Sequence, residues 1–228
     1  MSITFITATG TDIGKTFLTA GMIRYFRDGK IAVDALKPIA TGFDDDAPEW
    51  SDTAALLGAL GRRTTPEEIN RISPFRFAAP LAPDMAAARE RRKLDFDELL
   101  EFTRRAALNH QGQLLIEGVG GIMVPLDDRR TVLDWMMAIN RPVVLVTGSY
   151  LGSISHTLTC LDVLIRRGLE VKALVVNETP ASTVPLSDTV DTMRRFARDV
   201  PVFAMPRLAP GITEHPTFGR VCETLLKA

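Results

Sequence analysis

The stretch Ile3-Thr4-Phe5-Ile6-Thr7-Ala8-Thr9-Gly10-Thr11-Asp12-Ile13-Gly14-Lys15-Thr16-Phe17-Leu18 carries the strongest structural signal in the chain. Residues Ile3 to Thr7 form a β-branched run without alternation, as expected of a strand buried on both faces. A helical pattern starts straight after the loop, with Phe17, Leu18, Ala20 and Met22. A strand, a loop ending in Gly14-Lys15-Thr16 and a helix together make a phosphate cradle. Backbone N–H groups converge in such a loop and the helix N-terminus adds partial positive charge. Lys15 then reaches terminal phosphates, and the Thr16 hydroxyl can bind Mg²⁺. Binding of a nucleoside triphosphate is the expected chemistry. The ordinary G-x-x-x-x-G-K-[ST] spacing would put its first glycine where this chain has Thr9. The alternative makes Lys15 a plain first-turn residue, where it would oppose the helix dipole at a cost of ~0.3–1 kcal/mol with no anion to answer it.

Similar buried runs recur at Ala32 to Leu36, Leu114 to Ile116, Val143 to Thr147, Val171 to Val176 and Val202 to Ala204. Segments of helical periodicity separate them, such as Leu158, Leu161, Leu164 and Ile165, or Phe96, Leu99, Leu100, Thr103 and Ala106. Strand and helix in alternation predict an α/β fold with a mostly parallel sheet covered by helices on both faces. No linker divides residues 1–228, so a single domain is expected. The stretch from Gly42 to Pro83 is richer in Asp, Pro and Arg and poorer in strand signal, which predicts an excursion of loops and short helices.

Composition narrows the function. With 228 residues the chain is long enough for a substantial core without disulfides or structural metal. Hydrophobic residues at 46% and charged residues at 24% exclude a disordered or fibrous chain. Lys and Arg total 27 against 28 Asp and Glu, a net charge of −1 that gives no footprint for nucleic acid or an anionic membrane. Cys160 and Cys222 are far apart, without a C-x-x-C pair, and the apolar N-terminus lacks the basic region and cleavage site of a signal peptide. A cytoplasmic protein is expected. His110, His156 and His215 have no metal-ligand spacing or triad-like setting and are expected to be structural or exposed. The Asp44-Asp45-Asp46 run is expected to be a solvated loop.

Three further side chains are candidates. Leu114-Leu115-Ile116-Glu117 is a buried strand ending in a carboxylate, followed by Gly118-Val119-Gly120-Gly121. Ligands of open α/β sheets lie at the carboxyl ends of strands, so Glu117 should share an edge with the phosphate loop, where it can hold Mg²⁺. Lys37 ends the second strand before Pro38. Two ammonium groups at one edge repel unless an anion lies between them, which points to a polyanionic or carboxylated ligand. A solvent-exposed strand-end lysine explains the residue equally well. Asp52 follows Ser51 at the start of a helical pattern, where the residues alone favour Ser51 as cap and Asp52 as a first-turn acid.

Taken in order, Thr11 with Gly14-Lys15-Thr16, Leu36-Lys37-Pro38-Ile39-Ala40-Thr41-Gly42, Ser51-Asp52, Ile116-Glu117-Gly118-Val119-Gly120-Gly121 with Pro125-Leu126, Leu151-Gly152-Ser153-Ile154-Ser155-His156 and Val175-Val176-Asn177 closely resemble the dethiobiotin synthetase family over nearly the whole chain. The resemblance implies a P-loop, ATP- and Mg²⁺-dependent ligase that converts 7,8-diaminononanoate and CO₂ to dethiobiotin. It also implies the site. Thr16, Asp52 and Glu117 would form the Mg²⁺ set, and Lys15 the β/γ-phosphate contact. Lys37 would hold the carbamate and the transferring phosphoryl group, with Thr11 and Thr41 nearby and Gly118 at the substrate. Asp12, Ile13, Gly14 and Phe17 would complete the nucleotide loop, and Asn177 would meet the adenine edge. Gly152, Ser153 and Ser155, at a helix start, would receive the substrate's distant carboxylate from the neighbouring subunit, implying a two-fold dimer. The family's loop is lengthened and opens with a glycine where this chain has Ala8. A left-handed alanine would be strained by ~1–2 kcal/mol, so the loop is expected to differ or take a β conformation there.

Two rival classes use related loops. A corrinoid amidotransferase would need a glutaminase domain and a nucleophilic Cys motif. A nucleotide-switched partition or positioning ATPase would carry a second lysine five residues before the loop lysine, and Gly10 stands there.

Overall fold

The computed structural model describes residues 2–226. In chain order it contains β1 (Ser2–Ala8), α1 (Lys15–Asp28), β2 (Val33–Leu36), β3 (Ile39–Thr41), a 3₁₀ turn (Pro48–Trp50), α2 (Asp52–Ala59), α3 (Pro66–Ile72), β4 (Phe75–Phe77), α4 (Pro83–Arg89) and α5 (Phe96–Asn109). There follow β5 (Gln113–Glu117), α6 (Val132–Ile139), β6 (Val143–Gly148), α7 (Ser153–Arg166), β7 (Val171–Asn177), α8 (Leu186–Phe196), β8 (Val202–Met205) and α9 (Pro216–Leu226).

Six strands form one sheet in the order β2-β5-β1-β6-β7-β8. Every neighbouring pair within it is parallel. The predicted strands therefore all form, and their unbroken apolar character has the expected cause: β5 and β6 are buried at every residue. Parallel strands need crossovers, and helices supply them. Two of these begin on side-chain caps. Asp95 Oδ1 accepts the N–H groups of Asp97 and Glu98 at α5, and Thr131 with Asp134 forms a capping box at α6. Phe5 of β1 meets Trp135 of α6 edge to face, ring centroids 4.8 Å apart, which ties the sheet centre to one helical layer.

The excursion departs from expectation in one respect. It holds helices α2 and α3, but also a strand, β4, which pairs in parallel with β3 as a separate ladder. Three residues, Phe75-Arg76-Phe77, are too short to show a period, and it is the tertiary path after Pro38 that pairs them. Past this ladder the backbone N–H of Gly42 reaches Ala79 O at 3.1 Å, laying the Pro80 to Pro83 segment beside the main sheet's carboxyl edge. Gly42 has φ 70°, and a Cβ there would lie 3.1 Å from the Pro80 side chain, so that approach requires glycine.

Candidate active site

Five adjacent strands deliver side chains to one edge. The register pairs Leu36 of β2 with Ile116 of β5, so the next residues, Lys37 and Glu117, emerge side by side. β5 pairs in turn with β1, whose end enters the phosphate loop, and β7 ends in Asn177 opposite Gly148 of β6. This edge opens into a cavity of about 590 Å³. Thr11, Asp12, Gly14, Lys15, Thr16, Lys37, Thr41 and Asp52, all singled out from the sequence, line it.

The loop adopts the shape that the chemistry needs. Ala8 is the last residue of β1, fully buried and extended, so the alanine is accommodated by a β conformation and carries no left-handed strain. The left-handed positions are instead Asp12, with φ 56°, and Gly14, with φ 89°. Gly14 is the N-cap of α1 and makes no side-chain cap, so the first N–H groups of α1 face the loop. A Cβ on Gly14 would fall 2.3 Å from Asn177 Nδ2, which makes glycine obligatory there on two counts.

The charges are interlocked. Thr16 Oγ1 donates to Glu117 Oε1 at 2.6 Å, and Lys37 Nζ donates to the same oxygen at 2.7 Å and to Gly118 O at 3.0 Å. Asp52 Oδ2 lies 3.3 Å from Lys37 Nζ. Lys37 and Glu117 are buried, whereas the Asp52 side chain is 55% exposed to the cavity. Burial opposes the charge on Lys37, but Glu117 and Asp52 outweigh it and hold the ammonium above its ordinary range. Burial likewise opposes ionisation of Asp52, and Lys37, the Thr16 hydroxyl and Lys15 reverse that and lower its pKa. Lys15 Nζ donates to Gly10 O at 3.0 Å. Its burial, aided by the charge of Lys37 and only partly opposed by Glu117, Asp52 and Asp12, lowers its pKa from 10.5 to about 8.

This arrangement corrects one step of the sequence argument. The two lysines do converge, but Lys37 needs no ligand anion, because Glu117 and Asp52 already answer its charge. Lys15, bonded only to a backbone carbonyl, is the ammonium that still calls for one. Asp52 is the first-turn acid of α2, whose cap is Ser51 through Ala54 N at 3.1 Å, and its carboxylate also turns toward Lys37.

The remaining candidates separate into groups. Asn177 Nδ2 donates to Ile13 O at 2.6 Å and Gly14 O at 3.4 Å, so its donor is committed to the loop backbone, while Oδ1 is buried without a protein partner. Phe17 packs edge to face on Phe218, centroids 5.4 Å apart, away from the cavity lining. Gly152, Ser153 and Ser155 stand at the start of α7 and do not line the cavity. Gly152 is left-handed with φ 97°, and Ser153 Oγ is buried without a partner.

The structure adds groups that the sequence did not announce. Pro80, Leu81, Ala82 and Pro83 form one wall, and Val119, Gly120 and Val124 another. Thr147 of β6 bonds Thr9 Oγ1 at 3.0 Å and Thr157 Oγ1 at 2.7 Å, linking the loop's base to α7. A threonine inside the apolar run of β6 was an available signal, whereas the three residues of β4 are too short to give one.

Oxygen donors of this kind suit a hard divalent cation. Glu117 Oε2 is buried with no partner, and the second carboxylate and a hydroxyl stand beside it. The donor set thus fits Mg²⁺. Among the described residues no group of three or more His, Cys, Asp and Glu side chains is arranged to hold a metal ion. In the Asp44 to Asp46 run, Asp44 Oδ1 accepts the Asp46 N–H at 2.9 Å and Asp45 lies 4.0 Å from Arg76 of β4. Both cysteines are free, and no described helix is long and apolar enough to cross a membrane.

Comparison with known proteins gives a consistent picture. A family model described as an AAA domain matches residues 3–210. The ATP-dependent dethiobiotin synthetase BioD of Acidiphilium cryptum is 45% identical over 206 residues, covering 89% of this chain and 92% of that protein. That of Caulobacter vibrioides is 44% identical over 208 residues, covering 91% and 93%. Among solved structures, the cell division ATPase MinD of Pyrococcus furiosus superposes with TM-score 0.55 at 17% identity, over 100% of this chain and 99% of that one. A ParA family ATPase from Chlorobium tepidum gives TM-score 0.55 at 13% identity, over 98% and 97%. At such identities the last two speak to the fold alone, a P-loop ATPase sheet.

Proposed function

The chain belongs to the ATP-dependent dethiobiotin synthetase family, and from that membership we propose that the cavity above β1 and β5 closes the cyclic urea of dethiobiotin. The reaction is an ATP-dependent ligation that forms carbon–nitrogen bonds. One amine of 7,8-diaminononanoate adds to CO₂ and loses a proton, giving a carbamate. A carbamate oxygen takes the γ-phosphoryl group and ADP leaves. The second amine then attacks the carbamoyl carbon, loses a proton and expels phosphate.

No protein nucleophile is required, so catalysis is positioning plus charge compensation. Two anions must come within bonding distance, at a cost of several kcal/mol by Coulomb's law in a partly desolvated crevice. The single observation that carries the reading is the convergence of Lys15, Lys37 and Asp52 on one cavity beside the phosphate loop, with Glu117 buried directly behind Lys37 and Thr16. Lys15, held against Gly10 O in the free protein, would turn to the β/γ-phosphates, for which its unanswered charge suits it. Lys37 would face the carbamate and the transferring phosphoryl group, with Thr11 and Thr41 hydroxyls in the same cavity. Gly118 O and the Pro80 to Pro83 wall would border the diamine.

Thr16, Asp52 and Glu117 would hold Mg²⁺, which when bound supplies positive charge to the polyphosphate. Asp12, Ile13 and Gly14 would border the nucleotide in the loop, and Phe17, its ring turned to Phe218, would contribute its backbone N–H at the start of α1. Asn177 would offer its free Oδ1 to an adenine amino group, since its Nδ2 is committed to the loop. The turn of Gly152, Ser153 and Ser155 would take the substrate carboxylate of the partner subunit in a two-fold dimer, a role that suits its place outside this cavity. A cytoplasmic homodimer acting on small molecules, without nucleic acid or membrane, follows.

The test is direct. Purified protein with ATP, Mg²⁺, bicarbonate and 7,8-diaminononanoate should yield dethiobiotin by mass spectrometry, and Lys15→Ala or Lys37→Ala should lose nearly all turnover. Near-normal product from Lys37→Ala would remove its role.

A further inference from the structure

Lys37 Nζ lies 2.7 Å from Glu117 Oε1, 3.0 Å from Gly118 O and 3.3 Å from Asp52 Oδ2. Thr16 Oγ1 donates to that same Glu117 oxygen. The ammonium therefore sits in the gap between the two carboxylates assigned above to the divalent cation, in contact with one oxygen of each, Glu117 Oε1 and Asp52 Oδ2. A lysine ammonium and Mg²⁺ are both compact, strongly hydrated cations that seek oxygen. A monocation and a dication held against the same two carboxylates repel strongly in a buried site, which drives one out when the other arrives. Lys37 has somewhere to go. It lines the cavity with Thr41, and its flexible stem starts just beyond the end of β2.

We propose that Lys37 is the internal occupant of the metal position: in the metal-free protein its ammonium bridges Glu117 and Asp52, and an incoming divalent cation expels it into the cavity, where it meets the anionic substrate. Metal loading and the arming of Lys37 become one event. The protein then avoids leaving two carboxylates uncompensated at the buried edge before metal binds, and avoids offering the substrate a free ammonium without it. Asp52 is suited to the exchange, since its side chain is exposed to the cavity while Glu117 is fixed beneath. This inference rests on the assignment of Thr16, Asp52 and Glu117 to the metal.

The experiment uses Mg²⁺ alone with nucleotide-free protein. By isothermal titration calorimetry, Lys37→Met should bind Mg²⁺ at least about ten-fold more tightly than the natural chain, because the competing cation is gone. Lys15→Met removes a like charge from the same cavity that acts on the carboxylates only from a distance and touches neither, and should change the affinity by less than about three-fold. Equal tightening in both variants, or weaker binding in Lys37→Met, would overturn the exchange. A second measurement needs no substitution: acetylation by a succinimidyl ester, followed by peptide mass spectrometry. Mg²⁺ should raise the labelling of Lys37 at least about five-fold while leaving the exposed Lys93 unchanged, since the released amine faces the cavity. Labelling of Lys37 that Mg²⁺ leaves unchanged or suppresses would contradict the proposal. These readouts involve no product, so absence of dethiobiotin synthesis would sink the functional reading and leave the exchange standing.

Discussion

Replacing Glu117 with glutamine tests the buried charge network at its centre. Glutamine keeps the shape but removes the charge and turns one oxygen into a donor. The oxygen of the amide has to stay where Oε1 is, because Thr16 Oγ1 and Lys37 Nζ both donate there, at 2.6 and 2.7 Å. Its NH₂ group is then forced into the place of Oε2, which is buried and has no partner. A buried unsatisfied donor costs ~1–3 kcal/mol. Removing one partner of a buried ion pair costs ~3–5 kcal/mol, but here the loss is cushioned because Asp52 at 3.3 Å and Gly118 O at 3.0 Å keep hold of Lys37. Together these give a loss of about 3 kcal/mol, or a fall in Tm of ~6–12 °C for a chain of this size. Urea unfolding without Mg²⁺ measures it as a lower midpoint at unchanged m. The double variant Glu117→Gln with Lys37→Met should be less destabilised than the sum of the singles by more than ~1 kcal/mol, since it removes both members of the pair. A loss below about 1 kcal/mol in Glu117→Gln, or simple additivity in the cycle, would refute a coupled buried pair.

Two further outcomes follow from the loop. Lys15 is lowered to about 8, so at pH 8 the free site is half protonated, and a bound polyphosphate returns it to the charged form. ATP binding at pH 8 should therefore take up about half a proton, seen as a dependence of the calorimetric heat on buffer ionisation enthalpy, and Lys15→Met should abolish it; proton release instead would exclude the lowered pKa. The same shift has a stability sign: the depressed folded value opposes folding below about pH 8, and that penalty fades as pH rises from 8 toward 10.5. Ala8→Gly, which restores the residue that the family's loop opens with, should not improve ATP affinity and should cost ~0.5–1 kcal/mol, because Ala8 is extended in a strand. A gain in both stability and affinity would show that Ala8 is strained.

Much of this was legible in the sequence, for identifiable reasons. Strands buried on both faces print unbroken apolar runs, and the order of runs and helical segments fixes a parallel sheet. Gly14-Lys15-Thr16 after such a strand shows its chemistry in its placement. Strand ends name Lys37 and Glu117 as edge residues. What sequence could not supply is register. That Lys37 meets Glu117 and not an outside anion depends on Leu36 standing opposite Ile116 across two strands about eighty residues apart. The Pro80 to Pro83 wall depends on a ladder of three residues, below the length at which periodicity speaks. The ion pair of Asp52 was hidden because a first-turn helix acid and a partner for a buried lysine ask for the same residue at the same place. Asn177 was named only through resemblance, and its commitment to the loop carbonyls is a fact of packing between β7 and α1.

The central claim is that this edge gathers opposing charges so that a carbamate and a phosphoryl group can join, and hydrolysis of ATP is not its purpose. The decisive measurement is the amount of ADP formed per dethiobiotin, with Mg²⁺ and bicarbonate, in the presence and absence of 7,8-diaminononanoate. One ADP for each dethiobiotin, and almost none without the diamine, is the predicted result. ADP released at the same rate whether or not the diamine is present, with no dethiobiotin formed, would contradict it.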